Sequence, residues 1–152
     1  MTVPSTRRPP VRRGDFPYHV AIQTRWSDND MFGHVNNVEY YRFFEIAVAE
    51  FLMGPCRLDL FHAPFIPFAA ESLCRFGRPL SWPEKVTAGL KVEHLGTSSM
   101  RYAIALFGEG QDEAAAEGHW VHVFVDRVEQ RPVAIPTELR TVFETYRGSP
   151  AT

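Results

Sequence analysis

The sequence contains few of the residues on which several classes of protein depend. Only two of its 152 residues are cysteine, and Cys56 and Cys74 stand apart rather than in a C-x-x-C pair. This argues against a disulfide scaffold and indicates a reducing compartment. Positive and negative charges nearly cancel to a net charge of -2, so we expect no nucleic-acid partner.

Long apolar runs are also missing. No stretch of the sequence approaches the roughly 20 residues of a membrane span. The basic residues 1–15 are not followed by the apolar segment of a secretory signal. We therefore expect a cytoplasmic protein with no membrane partner.

Several catalytic and binding motifs are absent as well. The sequence has no G-x-S-x-G nucleophile elbow and no glycine-rich phosphate loop. His119 and His122 are three residues apart on a predicted strand, which places them on opposite faces of a sheet. No other histidine or cysteine has the spacing of a metal site, so we expect neither a metal nor a cofactor.

The composition that remains is typical of one soluble globular domain. Hydrophobic residues make up 45% of the chain and charged residues 22%. Residues 1–15 are rich in Pro, Arg, Ser and Thr, which predicts a disordered N-terminal arm. We expect a single domain over residues 16–147 and a C-terminal tail over residues 148–152.

The first half of the domain contains one strand signal and one long helix signal. Alternating residues predict a strand over residues 18–26, followed by a polar loop that contains Gly33. Asn36 and Asn37 are favourable N-cap residues, and the helix pattern runs to Met53. Its apolar side chains cover about half of the helix surface, which predicts a helix largely wrapped by other structure.

The second half is dominated by strands. Strand patterns cover residues 66–76, 85–95, 98–107 and 117–126, and a short amphipathic segment covers residues 136–146. Short turns between successive strands favour an antiparallel sheet, against which the apolar helix must pack. This order predicts an α+β fold with exposed sheet edges, and therefore an oligomer.

The loop and helix also carry a recognisable motif. The sequence reads Asp28-Asn29-Asp30, a short spacer, Gly33-His34-Val35-Asn36-Asn37, and then the aromatic helix. Further pieces lie at residues 76–80, 94–99, 123–127 and 131–136. Together, over roughly residues 17–146, they resemble the 4-hydroxybenzoyl-CoA thioesterase-like family. The resemblance implies a hot-dog fold, in which an antiparallel β-sheet wraps around one long central α-helix.

The resemblance also implies roles for individual residues. Asp30 matches the family's catalytic carboxylate, which either attacks the thioester carbonyl or acts as a general base for water. Asn37 matches the position whose backbone N–H polarises the carbonyl oxygen, and the free donors of a helix N-terminus suit that task. Residues 96–99 match a segment that contacts the CoA nucleotide, usually from a neighbouring subunit; they are Gly96, Thr97, Ser98 and Ser99.

Three further loop residues are assigned to the site. His34 is counted with the catalytic residues, because it is expected to orient the loop or touch the substrate. Gly33 is expected to adopt a positive φ or to allow close approach of a ligand. Asn36 is expected to cap the helix and to contribute to substrate binding.

The sequence thus predicts an acyl-CoA thioesterase that assembles as a dimer or tetramer, with a homotetramer favoured. Two alternatives stay open: a hot-dog dehydratase that uses His34 with Asp30, and a non-catalytic acyl-CoA-binding protein. The acyl group and the carrier, CoA or acyl carrier protein, are undetermined. An apolar acyl pocket has five candidate residues: Trp26, Phe32, Phe61, Phe65 and Phe68. Candidate phosphate ligands are Arg75, Arg78, Lys85, Lys91 and Arg101.

Overall fold

A computed structural model describes residues 8–148 of the chain. The strands are β1 (Tyr18–Gln23), β2 (Phe65–Phe76), β3 (Lys85–Leu95), β4 (Ser99–Phe107) and β5 (Ala116–Asp126), and the helices are α1 (Asn37–Met53) and α2 (Thr137–Thr145). All strand pairs are antiparallel, and the order in the sheet is β1-β3-β4-β5-β2. The helix α1 packs across one face of this sheet, which confirms the predicted α+β architecture.

The helix α1 begins and ends where the sequence predicts. The side chain of Asn36 accepts a hydrogen bond of 3.0 Å from the backbone N–H of Val38, so Asn36 is the N-cap. At the other end, the Gly54 N–H donates to the carbonyl of Glu50. The buried face of the helix consists of Tyr40, Phe43, Phe44, Ala47, Val48, Phe51 and Leu52. These side chains form the core with the inward-facing residues of the sheet.

The first strand is shorter than predicted. The prediction ran to residue 26, whereas β1 ends at Gln23, and Trp26–Asp28 is a 3-10 turn. The cause is a side chain that competes with the ladder, because Asp28 accepts a hydrogen bond of 2.8 Å from the Arg25 N–H. This bond bends the chain away from the sheet and towards the loop that precedes α1.

Residues 8–15 differ from the predicted disordered arm, because they lie against the sheet on the face opposite α1. The Arg13 N–H donates to the carbonyl of Asp112, and the Val11 carbonyl accepts from Ala114. Phe16 follows this segment and is buried against Phe107. Sequence composition underestimated these contacts because they join residues about 100 positions apart. Residues 1–7 of the arm, and 149–152 of the tail, lie outside the described residues.

A buried imidazole lies between β4 and β5. Trp120 Nε1 donates to His122 Nε2 over 2.9 Å, so the proton of the neutral ring is on Nδ1, 3.3 Å from the Tyr102 hydroxyl. Burial lowers the pKa of His122 to about 4, well below its ordinary value. His119 lies on the opposite face of the sheet, where it contacts Glu71, as the strand pattern predicts.

His122 should make stability depend on pH. Its imidazole titrates near 6.5 in the unfolded chain and near 4 in the folded one, so the unfolded state binds more protons between these values. The free energy of unfolding should therefore fall as pH falls, by about 2 kcal/mol between pH 7 and pH 5. Urea denaturation at both pH values measures this loss, and His122→Gln should show a correspondingly smaller one. An identical pH dependence in both proteins would contradict the prediction.

Within residues 8–148, no helix has both the length and the apolar sequence needed to cross a bilayer. In the same part of the chain, no group of three or more His, Cys, Asp or Glu side chains is placed to hold a metal ion.

Candidate active site

Residues 28–36 form a closed loop in front of α1. The Asn36 N–H donates to the Asp28 carbonyl over 2.8 Å, and the Asp30 N–H donates to the His34 carbonyl over 2.8 Å. Between them the Gly33 N–H donates back to the Asp30 carbonyl, with Gly33 at a φ of +76°. This conformation favours glycine and confirms the expected positive φ. The loop thus returns on itself and holds Asp30 close to the start of the helix.

Asp28 anchors this loop through its side-chain carboxylate. Its carboxylate is fully buried, and Oδ1 accepts hydrogen bonds from Arg25 Nη2 at 2.8 Å and Arg42 Nη2 at 2.9 Å. Burial acts to raise the pKa of Asp28, but the hydrogen bonds from Arg25 and the charges of both arginines outweigh it and lower the pKa. Asp28 is therefore an ionised structural residue that ties the loop to α1.

The segment that precedes β3 is hydrogen-bonded to this loop through Leu80 and Ser81. The Val35 N–H donates to the Leu80 carbonyl over 2.8 Å, and the Ser81 hydroxyl donates to the Gly33 carbonyl over 3.0 Å. Both bonds join the loop to the segment that enters β3. They limit the movement of the loop relative to the sheet, as a catalytic group requires.

Tyr40 connects the same segment to the end of β2. Its hydroxyl accepts a hydrogen bond of 3.2 Å from the Leu80 N–H, and its ring contacts Phe76 with the centroids 5.0 Å apart. Burial raises the pKa of Tyr40, and the nearby negative charge of Asp30 acts in the same direction. The loop, the first turn of α1 and the last residue of β2 therefore meet at one place.

The Asp30 carboxylate keeps one oxygen available. Oδ1 accepts a hydrogen bond of 2.9 Å from the Phe32 N–H, whereas Oδ2 accepts none from residues 8–148. The side chain is half-buried, and Met31 and Phe32 beside it are exposed. The loop thus presents an acid to the surface rather than enclosing it.

The helix start beside this loop also keeps a donor available. Asn36 caps the N–H of Val38 with its side chain and that of Glu39 with its carbonyl. The Asn37 N–H donates to no acceptor in residues 8–148, and Asn37 is exposed. A carboxylate oxygen and a free amide at the positive end of a 17-residue helix thus occupy one short segment.

The remaining site residues predicted from sequence fall into two groups. Gly33, His34 and Asn36 belong to the loop, where His34 is exposed and contributes its backbone carbonyl to the Asp30 hydrogen bond. Residues 96–99 form the turn between β3 and β4, at the far end of β3 from the loop. Since β3 has 11 residues, roughly 35 Å of extended strand separates this turn from Asp30. Within one subunit, the two groups do not form a single site.

Sequence reasoning missed the residues that hold the loop in place. Ser81 and Arg42 lie 51 and 12 residues after Asp30, and neither belongs to a local motif that announces the contact. The predicted aromatic pocket also does not form within the subunit. Phe65 packs against Phe124, while the other four aromatic residues are exposed: Trp26, Phe32, Phe61 and Phe68.

The sequence matches the family model of the thioesterase-like superfamily over residues 24–143. The chain belongs to the thioesterase-like superfamily. The match includes the loop, α1 and the whole sheet from β2 onwards. No curated protein matches this thioesterase-like chain.

Solved structures agree with this membership. The PA5185 protein of Pseudomonas aeruginosa is 44% identical, with 94% of this chain and all of the other covered and a TM-score of 0.90. A thioesterase of Thermus thermophilus, complexed with coenzyme A and zinc, is 28% identical, with 90% of this chain and 98% of the other covered and a TM-score of 0.76.

These similarities confirm three predictions: the thioesterase-like family, the α+β hot-dog fold and a thioester hydrolase.

Proposed function

We propose that the protein hydrolyses acyl-CoA thioesters to free CoA and a carboxylic acid, with Asp30 as the nucleophile or general base. One observation supports this most directly. Among residues 8–148, nothing donates to Oδ2 of the Asp30 carboxylate and nothing accepts from the Asn37 N–H, and the hydrogen-bonded loop that carries Asp30 closes at the exposed start of α1. The coenzyme A bound to the Thermus relative supports a CoA ester as the substrate class.

The reaction needs only these two groups and water. As a base, Asp30 takes a proton from water, whose oxygen bonds to the acyl carbon; as a nucleophile, it forms an anhydride that water then hydrolyses. In either case the C–S bond breaks, and the thiolate of CoA receives a proton. The Asn37 N–H donates to the developing oxyanion, a contact worth about 3 kcal/mol in the transition state.

The other loop residues assist in this proposal. Gly33 shapes the turn on which Asp30 lies, and Asn36 directs the first turn of α1 towards the thioester. The exposed ring of His34 contacts the substrate near its reacting carbon.

The residues 96–99 contribute to substrate binding from a partner subunit. This turn lies beside the start of β2, because the Phe124 N–H donates to the Ser98 carbonyl and Phe124 pairs with Pro67. The first turn of α1, which follows the Asp30 loop, lies at the other end of β2, where the Tyr40 ring contacts Phe76. If the free edge of β2 pairs antiparallel with the same edge of a second copy, each turn is brought towards the partner's Asp30.

The β2 edge is suited to such pairing. In the described chain β2 is an end strand of the sheet, it is 12 residues long, and Phe68 on it is 58% exposed. We therefore propose a dimer as the smallest active unit, with the tetramer as a dimer of these dimers. Sedimentation equilibrium at micromolar concentration should give twice or four times 17.3 kDa. A fully active monomer would contradict this assembly.

The function is tested by incubating the protein with a panel of aliphatic and aromatic acyl-CoAs and measuring release of free thiol. We expect turnover of at least one acyl class. Binding of acyl-CoA without thiol release would favour a non-catalytic binding protein, and addition of water to a 2-enoyl-CoA would favour a dehydratase. The same acyl groups on acyl carrier protein determine which carrier is used.

A further inference from the structure

Arg140 on α2 donates hydrogen bonds to the turn between β3 and β4. Its Nη2 donates to the carbonyl of Gly96 over 2.6 Å and to that of Thr97 over 3.2 Å. These bonds join the C-terminal helix to a turn 44 residues earlier in the sequence. They are charge-assisted and therefore stronger than a neutral hydrogen bond.

The two carbonyls determine where the neighbouring amides point. In a trans peptide, the C=O and the N–H of one planar group point in opposite directions. The carbonyls of Gly96 and Thr97 share their peptide groups with the N–H of Thr97 and the N–H of Ser98. By holding both carbonyls, Arg140 turns both N–H groups away from the protein. Within residues 8–148, neither N–H donates a hydrogen bond.

Backbone N–H groups also engage the carbonyls of the turn from within the protein. The Ile135 N–H donates to the Thr97 carbonyl over 2.9 Å, and the Phe124 N–H donates to the Ser98 carbonyl over 2.7 Å. The Gly96 N–H closes the turn on the Ser99 carbonyl. A Cβ at Gly96 would lie 2.9 Å from Ser99 Oγ and 3.3 Å from the Ser99 carbonyl oxygen, so a side chain there would displace the Ser99 hydroxyl. The backbone groups that face solvent are therefore donors.

Successive outward N–H groups flanked by hydroxyls form a concave site for an anion. Thr97 is exposed and Ser98 half-buried, so both hydroxyls can add donors. The guanidinium also polarises the two peptide groups, which strengthens their N–H bonds to a ligand on the other side. The chemistry matches a phosphate group.

We propose that Arg140 is a positioning residue that orients the Thr97 and Ser98 amides to bind a phosphate of the CoA nucleotide. This inference rests on the proposed function, in which acyl-CoA is the substrate. Arg140 acts through the turn and does not touch the reacting atoms. It should therefore affect the binding of the nucleotide and leave the chemistry at Asp30 unchanged.

The experiment compares two substrates with the same acyl group: the acyl-CoA and the N-acetylcysteamine thioester, which lacks the nucleotide and its phosphates. For Arg140→Gln we expect KM for the acyl-CoA to rise about tenfold, with kcat within about twofold. Kinetics on the short thioester should not change. Arg140→Lys retains one charged donor and should show a smaller rise.

Arg147→Gln is the matched control, since Arg147 lies just after α2 and, within the described residues, pairs with Glu144, 3.5 Å away, and not with the turn. It should leave both substrates unaffected. Equal changes on both substrates for Arg140→Gln, or no change on acyl-CoA, would overturn the inference. If Arg140→Gln does not fold by circular dichroism, the same criterion is applied to Arg140→Lys. A wild-type protein that hydrolyses neither thioester would overturn the proposed function instead.

Discussion

Replacing Asp30 with asparagine is expected to lower kcat for acyl-CoA hydrolysis at least about a hundredfold. Asparagine is nearly isosteric, and its side-chain oxygen can still accept the Phe32 N–H bond. The loop should therefore keep its shape and lose only the charge. The substitution removes the proposed nucleophile or base, and the other carboxylate of the loop, Asp28, is fully buried and bonded to Arg25 and Arg42. Thiol release from acyl-CoA measures the loss.

Asp59 offers a closely matched control for this substitution. Its Oδ1 accepts the N–H of Phe61 two residues later, over 3.0 Å, as Asp30 does with Phe32. Asp59→Asn removes the same charge from the same kind of turn. Because this turn lies away from the start of α1, the variant should retain full activity. Asp30→Ala should lose as much activity as Asp30→Asn. Retention of more than about a tenth of wild-type activity in both Asp30 variants would move the catalytic role to another residue.

Replacing Asp28 with asparagine is expected to lower the free energy of unfolding by about 2 kcal/mol, because a fully buried carboxylate loses its charge-assisted hydrogen bonds to two partly exposed arginines. The neutral amide would leave the Arg42 guanidinium without its buried partner and would direct N–H donors towards other donors. Because the folded environment lowers the pKa of Asp28, its stabilisation is present at neutral pH and is lost in acid, as the carboxylate takes up a proton. Urea denaturation at pH 7 measures the change.

The ion pair between Arg12 and Asp112 provides a control that distinguishes the effect of burying the aspartate from the effect of its charge. Arg12 and Asp112 are 2.8 Å apart, as are Arg25 and Asp28, and the two arginines are similarly exposed (59% and 54%), but Asp112 is 59% exposed whereas Asp28 is fully buried. Asp112→Asn should therefore change stability little. If the two aspartate variants unfold at the same denaturant concentration, Asp28 does not anchor the loop in the way described. Asp28→Asn should also reduce activity, since the loop that carries Asp30 loses its attachment to α1.

Local sequence was sufficient wherever a contact lies within a few residues. The N-cap at Asn36, the end of α1 before Gly54 and the turn at Gly33 each depend on side-chain or backbone preferences of the residues themselves. The strand patterns of β3, β4 and β5 were also correctly predicted, because alternation directly reflects which side chains face the core. The motif in the loop identified the family because its residues are contiguous in the sequence.

Local sequence failed where distant residues decide the structure. The pattern that continued β1 to residue 26 missed the turn at Trp26–Asp28, which Asp28 closes on the Arg25 N–H and which Arg42 of the packed helix α1 reinforces. Residues 8–15 lack the composition of a folded segment, yet they lie on the sheet because backbone hydrogen bonds to Asp112 and Ala114 and the burial of Phe16 against Phe107 hold them there. In both cases one partner is supplied by another element of the fold.

The sequence alone determined the family, the antiparallel sheet with its long helix, and the candidate acid at position 30, because each depends on short-range periodicity or on a contiguous motif. The tertiary structure decided which carbonyls of residues 96–99 are held by α2 and which groups brace the loop. It also decided that the loop and this turn lie at opposite ends of β3. These are relations between segments far apart in the chain, and only packing against a common core brings such segments to defined positions.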